Sequence, residues 1–128
     1  MERYLGRFSE QIYAVLRIIV GLAFSMHGMQ KLLGMFGGQR MSPLSFFGFG
    51  GVIELVGGLL IAIGLLAGWA AFIASGEMAV AYFTQHFPHG FWPIANKGEL
   101  AVVYCFLFLY IASRGSGIWS VDRGVRRT

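Results

Sequence analysis

The sequence has 128 residues, enough for one domain, and 56% of them are hydrophobic while only 12% are charged. A soluble domain carries about 25% charged residues, so an ordinary water-soluble protein is excluded and an integral membrane chain is indicated. The net charge of +4 does not point to nucleic acid. Arg3 and Arg7 stand near the start and Arg114, Arg123, Arg126 and Arg127 near the end, with no aromatic–basic interleaving of the kind that stacks bases.

Four apolar segments are predicted to be membrane helices, at about 11–33, 44–66, 68–85 and 98–114, with a short tail over 115–128. A bilayer core of about 30 Å asks for about 20 helical residues. Arg17 inside the first segment, with no small-residue cleavage site after it, predicts a retained helix rather than a removable leader. Gly34, Gly37 and Gly38 end that helix, and Ser42-Pro43 is expected to cap and start the second. Ala67-Gly68-Trp69 allows only a tight turn, which makes the second and third helices an antiparallel hairpin. Pro88 and Pro93 forbid continuous helix before the fourth. Trp69, Trp92 and Trp119 fall at helix ends, where indole suits the headgroup level. The expected architecture is all-α, an antiparallel up-down four-helix membrane bundle formed by one domain, 1–128.

Lysine and arginine counts orient the chain. The two ends share one side and hold most of the cations, so both termini are expected in the cytoplasm, in a bacterial inner membrane. Small residues mark packing faces: Gly21, Ser25 and Gly28 on the first helix; Gly57, Gly58 and Gly64 on the second; Ala67, Ala71, Ser75 and Ala79 on the third. These faces would equally serve a homodimer. Cys105, the single cysteine, reads as a small buried hydrophobe.

Arg17, His27, Lys31, Glu54, Glu77 and Glu99 lie within the spans, where an ionisable side chain costs about 2.5–3.5 kcal/mol at the bilayer centre. Such groups are expected to face inward and pair. Matching depths at about 1.5 Å per residue predicts an inner layer of Arg17 with Glu77, and an outer layer of His27, Lys31, Glu54 and Glu99. The stretch HFPHGFWPIANKGE, ending at Glu99, would then lid this polar cavity, with His86, His89, Lys97 and Glu99 at its rim.

HGMQKL at the end of the first helix, ELVGGLLIAIGLLAG in the second, NKGE opening the fourth and the closing GSGIWSVD together resemble the DoxX family of small four-helix bacterial membrane proteins. The resemblance covers nearly the whole chain. It implies kinship with the DoxD-type subunit of an archaeal thiosulfate:quinone oxidoreductase, and with mycobacterial members linked to a membrane oxidoreductase complex. Ala67-Gly68-Trp69 departs from the pattern, since many relatives carry a basic residue in that turn.

Two functional readings follow. In one, the protein is a redox-associated subunit, quinone-linked or non-catalytic, with soluble redox enzymes as partners. Arg17, His27, Lys31, Glu54, Glu77, His86 and Glu99 are its candidate ligand-binding residues, and a quinone or similar small molecule is its ligand. Cations or His27 would donate to quinone carbonyls while Glu54 or Glu99 relays protons. In the other, it is a non-enzymatic anchor or a small-molecule or proton carrier whose buried charges are structural. Haem ligation by His27, His86 and His89 is disfavoured because Pro88 and Gly90 break regular helix there, and no metal is assigned.

Overall fold

The computed structural model describes residues 1–126, and Arg127, counted above among the orienting cations, lies outside them. It is all-helical. The first long helix, α1, covers Ser9–Leu33 and is preceded by helical turns at Glu2–Leu5 and Gly6–Phe8. The second, α2, is a composite over Phe46–Ile63: α-helix at Phe46–Val52, a π-helical turn at Ile53–Gly57, and α-helix again at Gly58–Ile63. The third, α3, spans Ala67–Ala81 and runs into a second π turn at Tyr82–His86. The fourth, α4, covers Glu99–Arg114, and a short α5 covers Val121–Arg126.

Local chemistry sets these boundaries. Gly34 takes a left-handed conformation, φ 70°, which ends α1 as a C-terminal glycine does. The start of α2 corrects the expected one: Ser42 and Pro43 form a turn, and Ser45 is the cap, its hydroxyl accepting from the Gly48 N–H at 3.0 Å. The α1–α2 loop also folds back, with the Met41 N–H donating to the Lys31 carbonyl at 2.7 Å.

Packing between α1 and α2 is backbone against backbone. A Cβ on Gly21 would lie 2.6 Å from the Gly58 carbonyl oxygen, and one on Gly58 would lie 2.6 Å from that of Gly21. Gly28 stands equally close to Gly51 and Leu55, so rising numbers on α1 meet falling numbers on α2 and the helices run in opposite directions. Gly57 is not part of this seam, having nothing within 4 Å of where its Cβ would be. It stands about 100° around the helix from Gly58, off the stripe of Gly51, Leu55, Gly58 and Ala62 that meets α1.

Helices α3 and α4 form a second extensive contact. Its small face comprises Ala67, Ala70, Ala71, Ala74 and Ser75, all buried, and the Ser75 hydroxyl donates to the Cys105 carbonyl at 2.8 Å. Between α1 and α4 the contact is aromatic: Phe24 packs on Phe108 at 4.6 Å and on Tyr104 at 5.2 Å between ring centroids.

The outward faces invert the pattern of a water-soluble protein. Ile12, Val15, Ile19, Leu22 and Met26 are all exposed on α1 at the three-and-four spacing of a single helical stripe. Phe72, Ile73 and Val80 on α3 and Val103, Phe106 and Leu109 on α4 are exposed as well. Two of the helical stretches, Glu2–Leu33 and Phe46–Ile63, are long and apolar enough to cross a membrane.

Candidate functional site

The first turns of α2, residues 46–52, pack on α1 and stand away from α3 and α4, while the π turn that follows touches α3. The gap is a cavity of about 660 Å³. Its walls are apolar, with Phe46, Phe47, Phe49 and Ile53 from α2, Ile73 and Val80 from α3, and Leu100 from α4. Lys31, Glu54 and Glu77 supply charge, and His27 and Tyr104 meet edge to face at 5.9 Å on its border. Gln85, His86 and Lys97 line the end nearest the lid.

Glu54 is the best-buried carboxylate here, with 1% of its surface exposed. It sits in the π turn of α2, a distortion that recurs at functional sites because it redirects side chains from the regular helical path. Its Oε2 accepts from the Lys31 Nζ at 2.8 Å. Glu77 turns toward the same place from α3. Gly50 makes this meeting feasible: a Cβ there would lie 3.3 Å from Oε2 of Glu77 and 3.7 Å from Oε2 of Glu54. The Oε1 atoms of both carboxyls are buried, and neither receives a hydrogen bond among the described residues.

The expected inner layer of Arg17 with Glu77 is not formed. Arg17 is wholly buried, yet its partners are five carbonyl oxygens. Its Nε donates to Ile61 at 3.0 Å, and its terminal nitrogens donate to Ala62 at 3.4 Å, Ile118 at 3.0 Å, Trp119 at 2.7 Å and Ser116. Its five N–H groups can thus all be used, and the cation stands at the C-terminal, partially negative end of α2. The physical reason for the misassignment is axial. Arg17 is level with Ala62, whereas Glu77 lies ten residues up α3 from Ala67, about 15 Å further along.

Glu99 departs from expectation too. It is exposed in the first turn of α4 and does not line the cavity. His89 is exposed, its Nδ1 lying 3.2 Å from the Gln85 carbonyl. His86 does line the cavity and its Nδ1 lies 3.2 Å from the Asn96 carbonyl.

Asn96, quoted above only as part of a motif, organises the lid. It is 5% exposed. Its amide donates to the Tyr82 hydroxyl at 3.1 Å and the Gly90 carbonyl at 2.9 Å, while its side-chain oxygen accepts from the Gly98 N–H at 2.8 Å. Gly98 is required at that spot, since a Cβ would come within 2.8 Å of His86 Cβ. The available signal was an Asn two residues before a Gly, the pattern of a side chain closing a turn on the backbone. The second missed residue is Asp122, which accepts from the Leu66 N–H at 2.8 Å and the Ser116 hydroxyl at 2.7 Å. With Arg17 it fastens the 115–122 segment under the α2–α3 turn.

The arrangement defines a class, an all-helical membrane protein with a largely apolar cavity that holds a cluster of ionisable side chains. The DoxX family model matches residues 12–87, more than half of the sequence, and the chain belongs to the DoxX family. It is 42% identical over 125 residues to a Haemophilus influenzae protein described as uncharacterized, covering 92% of this chain and 93% of that one. It is 28% identical over 126 residues to an uncharacterized membrane protein of Mycobacterium tuberculosis, covering 84% of this chain and 77% of the relative. No solved structure matches.

Proposed function

We propose that the protein is a four-span inner-membrane bundle with both termini in the cytoplasm, acting as a redox-associated subunit whose cavity takes a quinone or a similar lipophilic ring compound. The observation that carries this reading is the combination of phenylalanine and isoleucine walls with Lys31, Glu54, Glu77, His27 and His86 in one space of about 660 Å³, a size and lining suited to a small ligand. The mostly apolar lining of the cavity favours a ligand partitioned in the bilayer. The sixteen residues of α4 extend about 24 Å, most of a bilayer core of about 30 Å.

Binding is tested with a decyl-substituted benzoquinone in either redox form, titrated into purified protein and followed by tryptophan fluorescence. Saturable quenching by at least one form at micromolar concentration is expected, weakened about tenfold or more in Lys31→Met. Silence from both forms refutes the reading. Topology is tested with Arg40→Cys and Arg123→Cys in a Cys105→Ser background. A membrane-impermeant maleimide should label Arg40→Cys from outside and Arg123→Cys only after permeabilisation. Labelling of both from the same side overturns the orientation.

A further inference from the structure

Gly76 lies on α3 next to Glu77 and lines the cavity. Glycine in a helix interior is less stable than alanine, and the usual structural reasons for one are missing here. Its backbone is ordinary α-helix, and nothing in the protein comes within 4 Å of where a Cβ would stand. It is off the buried face that meets α4 and is itself exposed. Trp69, Ile73, Val80 and Phe83 on the same stripe are bulky and exposed, so Gly76 is a gap in an otherwise filled row. The residues four before and four after it are Phe72 and Val80, so no second small residue extends it into a helix-packing seam. The reason that remains is close approach of a ligand to the backbone.

The gap lies at the edge of a slot. Residues 46–52 of α2 pack on α1 while α3 packs on α4, which leaves these two helices apart along the cavity. Both edges are apolar: Phe46, Phe49 and Ile53 on α2 and Ile73, Gly76 and Val80 on α3, all lining the cavity at the three-and-four spacing of a helical stripe. Gly76 is half-way along the helical run from Ala67 to His86, a depth at which a spanning helix is surrounded by hydrocarbon. We propose that the ligand enters sideways from the bilayer through this slot between α2 and α3. Its hydrocarbon tail stays there against the bare backbone of Gly76, and its ring lies by Lys31, Glu54 and Glu77. This rests on the ligand class proposed above and makes Gly76 the residue that selects a tailed compound over a bare ring.

The test uses two benzoquinones with one ring, the first carrying a decyl chain and the second a methyl group in its place. Each is titrated into the full-length protein in lipid nanodiscs, where no detergent chain competes for the slot. Each compound is compared with itself between wild type and Gly76→Leu, so its partitioning into lipid cancels. Leucine is a strong helix former and has open space at this position, so the fold should hold. Gly76→Leu should weaken the decyl compound about tenfold or more, the effect of displacing two buried methylenes, and change the methyl compound by about twofold or less. No change for the decyl compound, or equal weakening of both, overturns the inference and leaves the ligand class standing. Failure of both compounds to bind wild type removes the ligand class as well. A second measurement needs no variant: a decyl benzoquinone with a diazirine midway along its chain should crosslink on irradiation to the segments holding Phe49 and Ile73–Val80, and excess unlabelled decyl compound should prevent this. Competed crosslinks elsewhere, as at residues 85–97 of the lid, or none at all, overturn the inference.

Discussion

Replacing Arg17 by methionine keeps an apolar stem of similar length and removes five N–H donors. Hydrogen bonds to a charged partner contribute about 1.5–3 kcal/mol each, but the five are not equivalent. Ser116, Ile118 and Trp119 belong to a non-helical segment at half-buried or exposed positions, where water can take over from the lost guanidinium. Ile61 and Ala62 are buried, 0% and 7% exposed, and water does not easily reach their carbonyls. Two unreplaced bonds amount to roughly 3–6 kcal/mol. The loss should appear as a lower melting temperature in detergent by near-ultraviolet circular dichroism, with faster tryptic cleavage after Arg114 and Arg123 as the closing segment comes free. Arg17→Lys, which keeps the charge but has three donors in place of five, should fall between the two. Unchanged melting and unchanged cleavage in Arg17→Met would refute the view that a buried cation is held by carbonyls alone.

Lys31→Met should destabilise by about 3–5 kcal/mol by leaving Glu54 buried without its cation, and adding Glu54→Leu should recover much of that; a double-mutant cycle in denaturant that shows simple additivity would argue against the pair. Gly58→Leu should cost at least about 1–3 kcal/mol by forcing α1 and α2 apart, whereas Gly57→Ala next to it should be neutral or slightly stabilising. Equal melting losses in the two would mean that the seam is misplaced. Asn96→Ala removes three hydrogen bonds of about 0.5–1.5 kcal/mol each, so amide exchange over residues 86–98 should accelerate about tenfold or more while α1 is unaffected. Uniform acceleration along the whole chain would show that Asn96 supports the global fold and not the lid.

Much of the scaffold was legible because it follows from local rules. Gly34 stops α1, the prolines interrupt the chain before α4, and the alanines of α3 form a face, all from short-range sterics and helical periodicity. The candidate site was legible in part. Lys31 and Glu54 could be assigned to one layer with His27 and Glu99. Matching by depth set Lys31 level with Glu99 and Glu54 level with His27, so the Lys31–Glu54 ion pair needed the packed helices to be seen. Arg17 could not be placed the same way. Backbone carbonyls are absent from a list of charged residues, and a search for carboxylate partners passes over the acceptors that every residue carries. Gly50 was also silent in the sequence, because its importance lies in the side chain it lacks opposite two carboxyls from different helices.

The amino-acid sequence by itself determined the solvent, the helical class and the family, since these depend on composition, period and short motifs that need no partner to be read. Tertiary structure alone decided which buried charges meet. The π turns at Ile53–Gly57 and Tyr82–His86 alter the angular register that an ideal helix predicts, and the first turns of α2, residues 46–52, lean on α1 and away from α3 and α4. That lean opens the cavity, brings Glu77 to Glu54, and leaves Arg17 at the other end of the molecule among carbonyls. The physical reason is that an ionised group in an apolar interior goes to whichever dipole or counter-charge the packed backbones bring within reach, and close helix packing is a property of the whole fold.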